Sequence, residues 1–261
     1  MSDTHPFVGQ GTSYADSLRF WDMYSEQYSG MQQGDIPERV VRRLLEVGAM
    51  TPDDEVLEIG SGPGTYSLRI APEVRELTCL DTSPRMLDRL FGRAGEMGLD
   101  NIRRLDMDWR DYDDPGSKDL CIATLCPGSG SPESIGRMES TSRRSCALVS
   151  WVMNHGDDLN AMIWQYLGKD YGYGFRSSTA VQDWLRDNGR EPEVEFLKTT
   201  IDADIPVQNL IAKEESAFRA HGIDAPIGDI VRDILKDELD GDILHYHAVN
   251  EMKLIYWFPG Q

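Results

Sequence analysis

The sequence has no pair of cysteines at CxxC spacing, and its four cysteines, at 79, 121, 126 and 146, make no small disulfide framework. A disulfide-stapled scaffold is therefore excluded. Three of the four fall inside apolar runs and read as reduced core residues. Nowhere do about eighteen apolar residues run together, so no membrane-spanning helix is expected. Residues 1–14 lack a basic stretch followed by an apolar one, no signal peptide is indicated, and a cytoplasmic protein is the expectation. Internal repeats and low-complexity segments are absent too. Positive charge is scarce: 26 Lys and Arg stand against 45 Asp and Glu, a net charge of −19. Such a surface repels phosphate backbones, which argues against DNA or RNA as partner unless a basic patch exists. The densest basic cluster, Arg137, Arg143 and Arg144, is small. Solubility or salt adaptation is the plainest use of the charge.

What is present is an alternation of short apolar runs with helical patterns from residue 55 onward, the pattern of βαβ units and a mainly parallel sheet. The runs are Val56–Ile59, Leu77–Leu80, Ile102–Leu105, Leu120–Leu125 and Cys146–Val152. Ser83-Pro84 opens a helix that Gly95 and Gly98 close, and Pro132 begins another. Helices are expected over 36–47, 157–166 and 179–187, a sixth strand over 194–201, two helices over 206–220 and 226–239, and a last strand over 252–258. The resulting organisation is an N-terminal helical segment (1–50), a core (51–204), a helical insertion (205–242) and a final strand region (243–261). In a sheet whose seventh strand returns antiparallel, an insertion before that strand lies at the carboxyl end, where open α/β sheets bind ligands. Residues 205–242 are accordingly read as a cap.

The sharpest local signal is Val56-Leu57-Glu58-Ile59-Gly60-Ser61-Gly62-Pro63-Gly64-Thr65. A buried strand enters a turn with glycines at alternate positions, which permits positive φ and close approach of a ligand to the backbone. The spacing is GxGxG rather than the GxGxxG of dinucleotide binders, and Pro63 removes an N–H where a phosphate would want a donor. A nucleoside without phosphate suits this loop better than NAD. Asp81 ends the second strand, where a carboxylate accepts hydrogen bonds from ribose hydroxyls. Asp106-Met107-Asp108-Trp109 ends the third. Asp108 is placed to accept the exocyclic amine of an adenine, with Trp109 as apolar cover; Asp106 and Asp111 are the alternatives.

These three features, in order, resemble the class I S-adenosylmethionine-dependent methyltransferase family, over about residues 55–152. The resemblance implies an α/β fold with a Rossmann-like, seven-stranded, mostly parallel sheet and helices on both faces. It implies S-adenosylmethionine as cofactor, held by Glu58, Gly60, Ser61, Gly62, Gly64, Asp81, Thr82, Met86, Asp108, Trp109 and Leu125, with Tyr28 from the aromatic N-terminal helix. In the family, Glu58 orients the glycine loop or the methionine amine, and the loop after the fourth strand faces the methyl group. Here that loop reads Leu125-Cys126-Pro127-Gly128-Ser129, without the Asn/Asp-Pro-Pro-aromatic signature of enzymes that methylate exocyclic or amide nitrogens.

Methyl transfer from a sulfonium needs alignment and exclusion of water more than a catalytic side chain, and a base only where the nucleophile arrives protonated. The candidates for such a role are His155, after the fifth strand, and Cys126. His245 and His247, two apart, share a strand face and form either a metal pair or a packing face; no metal is expected. Trp21 and Tyr24 line the N-terminal helix, and residues 171–175 form a glycine–aromatic loop suited to gating. The reading is a methyltransferase of a small-molecule acceptor, a monomer or homodimer with no nucleic-acid or membrane partner. A protein side chain as acceptor, an NAD-dependent oxidoreductase and a non-catalytic nucleoside-binding protein are the competing readings.

Overall fold

The computed structural model describes residues 18, 19, 21, 22, 25, 33–127, 129–155, 159–169, 179–220 and 222–260. Its strands are β1 (Glu55–Ile59), β2 (Glu76–Asp81), β3 (Ile102–Asp106), β4 (Lys118–Thr124), β5 (Ser142–His155), β6 (Glu193–Pro206), β7 (Leu239–Asp240) and β8 (Ile243–Trp257). They form one sheet in the order β3-β2-β1-β4-β5-β8-β6, with β7 paired to β8 alone. The pairs β1–β2, β1–β4, β2–β3 and β4–β5 are parallel, and β7–β8 is antiparallel. Order and direction are those of a Rossmann-like sheet, with the chain reversing outward from β1 to β3 and then from β4. The two-residue β7 is an addition to the seven strands expected.

The chain folds as two compact units. One holds Asp35–Val152, Phe175–Leu197 and Glu251–Gln261. Its central strands are buried on both faces, which is why they read as nearly unbroken apolar runs. Successive side chains point to opposite faces. Val56, Leu77, Cys79, Leu120 and Ile122 pack with helices α1 (Ile36–Glu46), α2 (Ser67–Ile70) and α3 (Pro84–Glu96). Leu57, Ile59, Leu80, Cys121 and Ala123 pack with Ile135 and Met138 of helix α4 (Pro132–Thr141), and with Val181 and Leu185 of a later helix over Thr179–Asp187. Each such fully buried aliphatic side chain contributes about 1.5–3 kcal/mol. In α1 the buried residues Ile36, Val40, Val41 and Leu44 make one stripe, and Pro37 sits in the first turn, where its missing N–H is harmless.

The other unit holds Met1–Gly34, Met153–Gly174 and Lys198–Asn250. Helices α5 (Leu159–Tyr166), α7 (Val207–Ala220) and α8 (Ile227–Leu235) bring Ile163, Val207, Phe218, Ile230 and Val231 into a core of their own; α6 is the helix Thr179–Asp187. The rings of Trp164 and Phe218 lie 5.0 Å apart, and the fully buried Glu214 accepts a 2.6 Å hydrogen bond from Asn160 Nδ2. No helix among the described residues is long and apolar enough to cross a membrane.

Several boundaries differ from the sequence reading: β5 spans Ser142–His155 rather than 146–152, the helix expected over 226–239 is Ile227–Leu235, and β6 and β8 are longer. β6 runs on to Pro206 and β8 begins at Ile243, because both strands alternate half-buried with exposed residues there and so lack the apolar runs that mark the central strands.

Candidate functional site: the glycine loop and its acidic neighbours

Gly60, Gly62 and Gly64 all have positive φ, at 67°, 53° and 91°. That backbone is open to glycine and costly for other residues. Gly60 and Ser61 both donate their N–H to Leu80 O, at 2.8 and 3.0 Å, and Gly64 N–H reaches Ser61 O at 3.1 Å. Gly62 N–H donates to Asp81 Oδ2 at 2.8 Å, and Ser83 N–H donates to Asp81 Oδ1 at the same distance. The Asp81 carboxylate thus bridges the glycine loop and the start of α3. Pro63 has no N–H. From Gly60 to Gly64, every backbone donor is already committed within the protein.

Behind the loop lies Glu58, with no exposed surface. Ser67 Oγ donates to its Oε2 at 2.5 Å and Thr124 Oγ1 to its Oε1 at 2.8 Å. Burial pushes the carboxyl up to about 7, against the pull of those two hydroxyls, and the nearby Asp81 charge adds to the rise. The folded protein therefore holds a proton that the unfolded chain, with an ordinary glutamate pKa of about 4.3, releases. The stability this contributes is full below the unfolded value and is lost as pH rises through about 7. At 1.36 kcal/mol per pKa unit the span is of the order of 3 kcal/mol. Thermal melts from pH 4.5 to 8 are expected to show that slope in the wild type and to lose it in Glu58→Gln.

Asp108 caps a short 3-10 turn, Trp109–Asp111. Its oxygens accept Arg110 N–H at 2.8 Å and Arg110 Nη2 at 2.7 Å. Its side chain is 14% exposed, against 45% for Asp106, which pairs with Arg104. Of the two, Asp108 is the more enclosed acceptor, although a ligand amine there would share it with Arg110. Trp109 is a core residue: it donates Nε1–H to Ser134 Oγ at 2.8 Å and stacks on Tyr112 at 5.8 Å. Met86 is buried in the first turn of α3, with its N–H on the capping Ser83 Oγ at 3.2 Å; Thr82 is half-buried.

Cys126 lies against the glycine loop, since a Cβ built on Gly60 would stand 2.7 Å from its Cβ and its Sγ. A Cβ on Gly62 would meet nothing within 4 Å, so the loop faces open space at that residue. His155 is the last residue of β5, and its side chain lies outside the described residues, as do Tyr24, Tyr28, Gly128 and 171–175. Three hydroxyls that hold this site together, Ser67, Thr124 and Ser83, were not picked out as site residues. Only Ser83 carries a local signal, the Ser-Pro helix start.

His245 and His247 stand exposed on β8. Each places Nδ1 on an aspartate of β6, at 2.7 Å to Asp204 and 2.6 Å to Asp202. The partners step in opposite directions along the two strands, as antiparallel neighbours must. The bond to Asp204 raises the His245 pKa. Among the described residues no three ligands converge on a metal position.

A nucleoside-type cofactor without phosphate fits this arrangement: open space at Gly62 of a left-handed glycine loop, one strand-end carboxylate beside it, a second one strand further on. The fold that carries it is a Rossmann-like α/β sheet. Residues 56–138 match the family model described as a methyltransferase domain. An uncharacterized protein of Haemophilus influenzae is 24% identical over 165 residues, 62% of this chain and 60% of its own. The ribosomal RNA small subunit methyltransferase A of Thermobifida fusca is 36% identical over 56 residues, 22% of this chain and 20% of its own. The 23S rRNA (uracil(1939)-C(5))-methyltransferase RlmD of Chromohalobacter salexigens is 29% identical over 184 residues, 60% of this chain and 38% of its own. In each case the match spans less than two thirds of the relative. Among solved structures, a candidate methyltransferase of Bacillus halodurans superposes with TM-score 0.55 at 14% identity, covering 84% of this chain and 98% of that one. The YcgJ protein of Bacillus subtilis gives 0.52 at 14%, covering 85% and 98%. Over residues 56–138 the chain is similar to the methyltransferase-domain family, and the fold is the one it shares with these solved structures.

Proposed function

We propose that this protein transfers a methyl group from S-adenosylmethionine to a small-molecule acceptor. The observation that carries the cofactor side of this reading is the fate of the loop donors. Gly60, Ser61, Gly62 and Gly64 spend their N–H groups on Leu80, Asp81 and Ser61, and Pro63 has none. Nothing remains to cradle a pyrophosphate, as NAD would need. An adenosine bearing an amino-acid side chain makes no such demand.

Asp81 would hold the ribose hydroxyls, Asp108 the adenine amine, and the Gly62 segment the passage of the methionine portion. When bound, the sulfonium supplies a methyl group that is already electrophilic. The chain's own residues then have to bind, align and exclude water, effects that together supply several kcal/mol of barrier lowering without a covalent role for the protein. Cys126 is the candidate to touch the acceptor.

A small acceptor is favoured by charge. At −19 the protein repels a phosphate backbone, and that repulsion opposes the counterion-release term on which RNA affinity rests. RNA as acceptor is the second reading, favoured by the names of two curated relatives. Incubation with methyl-labelled S-adenosylmethionine decides between them. Label is expected in the small-molecule fraction of a deproteinised cell extract and not in purified ribosomal RNA; label in the RNA alone would overturn the acceptor class.

A further inference from the structure

Leu125, directly after β4, has φ 53°, and it is the one non-glycine residue with positive φ among those described. A leucine gains nothing from that conformation by itself, because its Cβ crowds the backbone there. Such outliers persist where the surroundings over-determine them, and they gather at functional sites. Here the surroundings do so from both sides. Leu125 N–H donates to Val149 O at 3.0 Å, and the preceding Thr124 is tied to the buried Glu58 at 2.8 Å. Beyond it, Cys126 O accepts both the N–H and the Oγ–H of Ser129, at 3.2 and 2.7 Å. The result of the turn is visible at Gly60, where there is no room for a Cβ because Cys126 fills the place at 2.7 Å.

We propose that Leu125 is a positioning residue, whose left-handed backbone presses Cys126 onto Gly60 and so fixes that wall of the cofactor site. The inference rests on the functional reading above. Its physical content is a trade: the fold tolerates a strained residue, and the site gains a preset wall that the ligand does not have to order.

Two variants separate this from a merely structural role. Leu125→Ala and Leu125→Gly both remove the side chain, but only glycine relieves the backbone. At an ordinary position alanine is the more stable of the two, because glycine has more freedom to lose on folding. At 125 the order is expected to reverse, with the glycine variant melting about 3 °C above the alanine variant. Calorimetric affinity for S-adenosylhomocysteine is expected to run the other way. The glycine variant should bind about fivefold more weakly than the alanine variant, since apparent Kd rises as the binding-competent fraction falls. Leu125→Asn, which tolerates the left-handed region, should restore affinity to within about twofold of the alanine variant. Alanine melting at or above glycine, or glycine binding as tightly as alanine, would overturn the proposal. Wild-type protein that fails to bind S-adenosylhomocysteine would instead remove the functional reading on which it stands.

Discussion

Replacing Asp81 by alanine is expected to weaken binding of S-adenosylmethionine at least about 100-fold while leaving the protein folded. The carboxylate is half-buried at the end of β2 and already holds Gly62 N–H and Ser83 N–H, each at 2.8 Å. A hydrogen bond with one charged partner is worth roughly 1.5–3 kcal/mol. Two bonds to the ribose hydroxyls would therefore be lost outright, and the glycine loop would lose the anchor that sets its curvature. Since 1.4 kcal/mol is tenfold in affinity, a 100-fold effect is the lower end of the range. Asp81→Asn keeps one acceptor oxygen in the same place, and an intermediate loss, about tenfold, is expected of it. Calorimetry reads both. Melting temperature is the control, and a variant that still binds within about threefold of the wild type would show that the carboxylate serves the loop alone.

The second large effect separates fold from function within one loop. Gly60 and Gly62 share a left-handed backbone, at 67° and 53°, but differ in what a side chain would meet. At Gly60 a methyl would collide with Cys126 at 2.7 Å, whereas at Gly62 it would meet nothing within 4 Å. Gly60→Ala adds overpacking to left-handed strain, about 2–4 kcal/mol together. At roughly 2–4 °C per kcal/mol, a fall of about 8 °C in Tm follows. Gly62→Ala carries only the strain, about 1–2 kcal/mol, and a fall of about 3 °C. Its methyl, however, would stand in the space assigned to the cofactor, and affinity should drop about 30-fold or more. If Gly62→Ala binds like the wild type, the ligand does not pass over that residue.

The central sheet was legible from residues alone because of where it lies. Val56–Ile59, Leu77–Leu80 and Leu120–Thr124 are buried on both faces, and such strands have no polar face to interrupt the run. β6 and β8 were foreshortened for the opposite reason. Around Asp202, Asp204, His245 and His247 one face is exposed, and alternation over a few residues is a weaker signal than a solid apolar run. Gly60, Gly62, Gly64 and Asp81 could be singled out because turn chemistry and strand-end position are local properties. The partners they meet are not. That Glu58 takes its hydrogen bonds from Ser67 and Thr124, the latter on a neighbouring strand, depends on parallel register, and no spacing in the chain encodes it. For the same reason the partner of Trp109 Nε1–H, Ser134 Oγ of α4, could not be read from the chain. The strain at Leu125 leaves no trace in sequence at all, since leucine is a residue that normally avoids it.

One measurement tests the account most directly: parallel calorimetric titration of the wild-type protein with S-adenosylmethionine, S-adenosylhomocysteine and NAD. The committed donors of the glycine loop predict micromolar binding of the first two and none of NAD. Binding of NAD alone would mean that the loop opens to take a pyrophosphate, and the account of the site would be wrong.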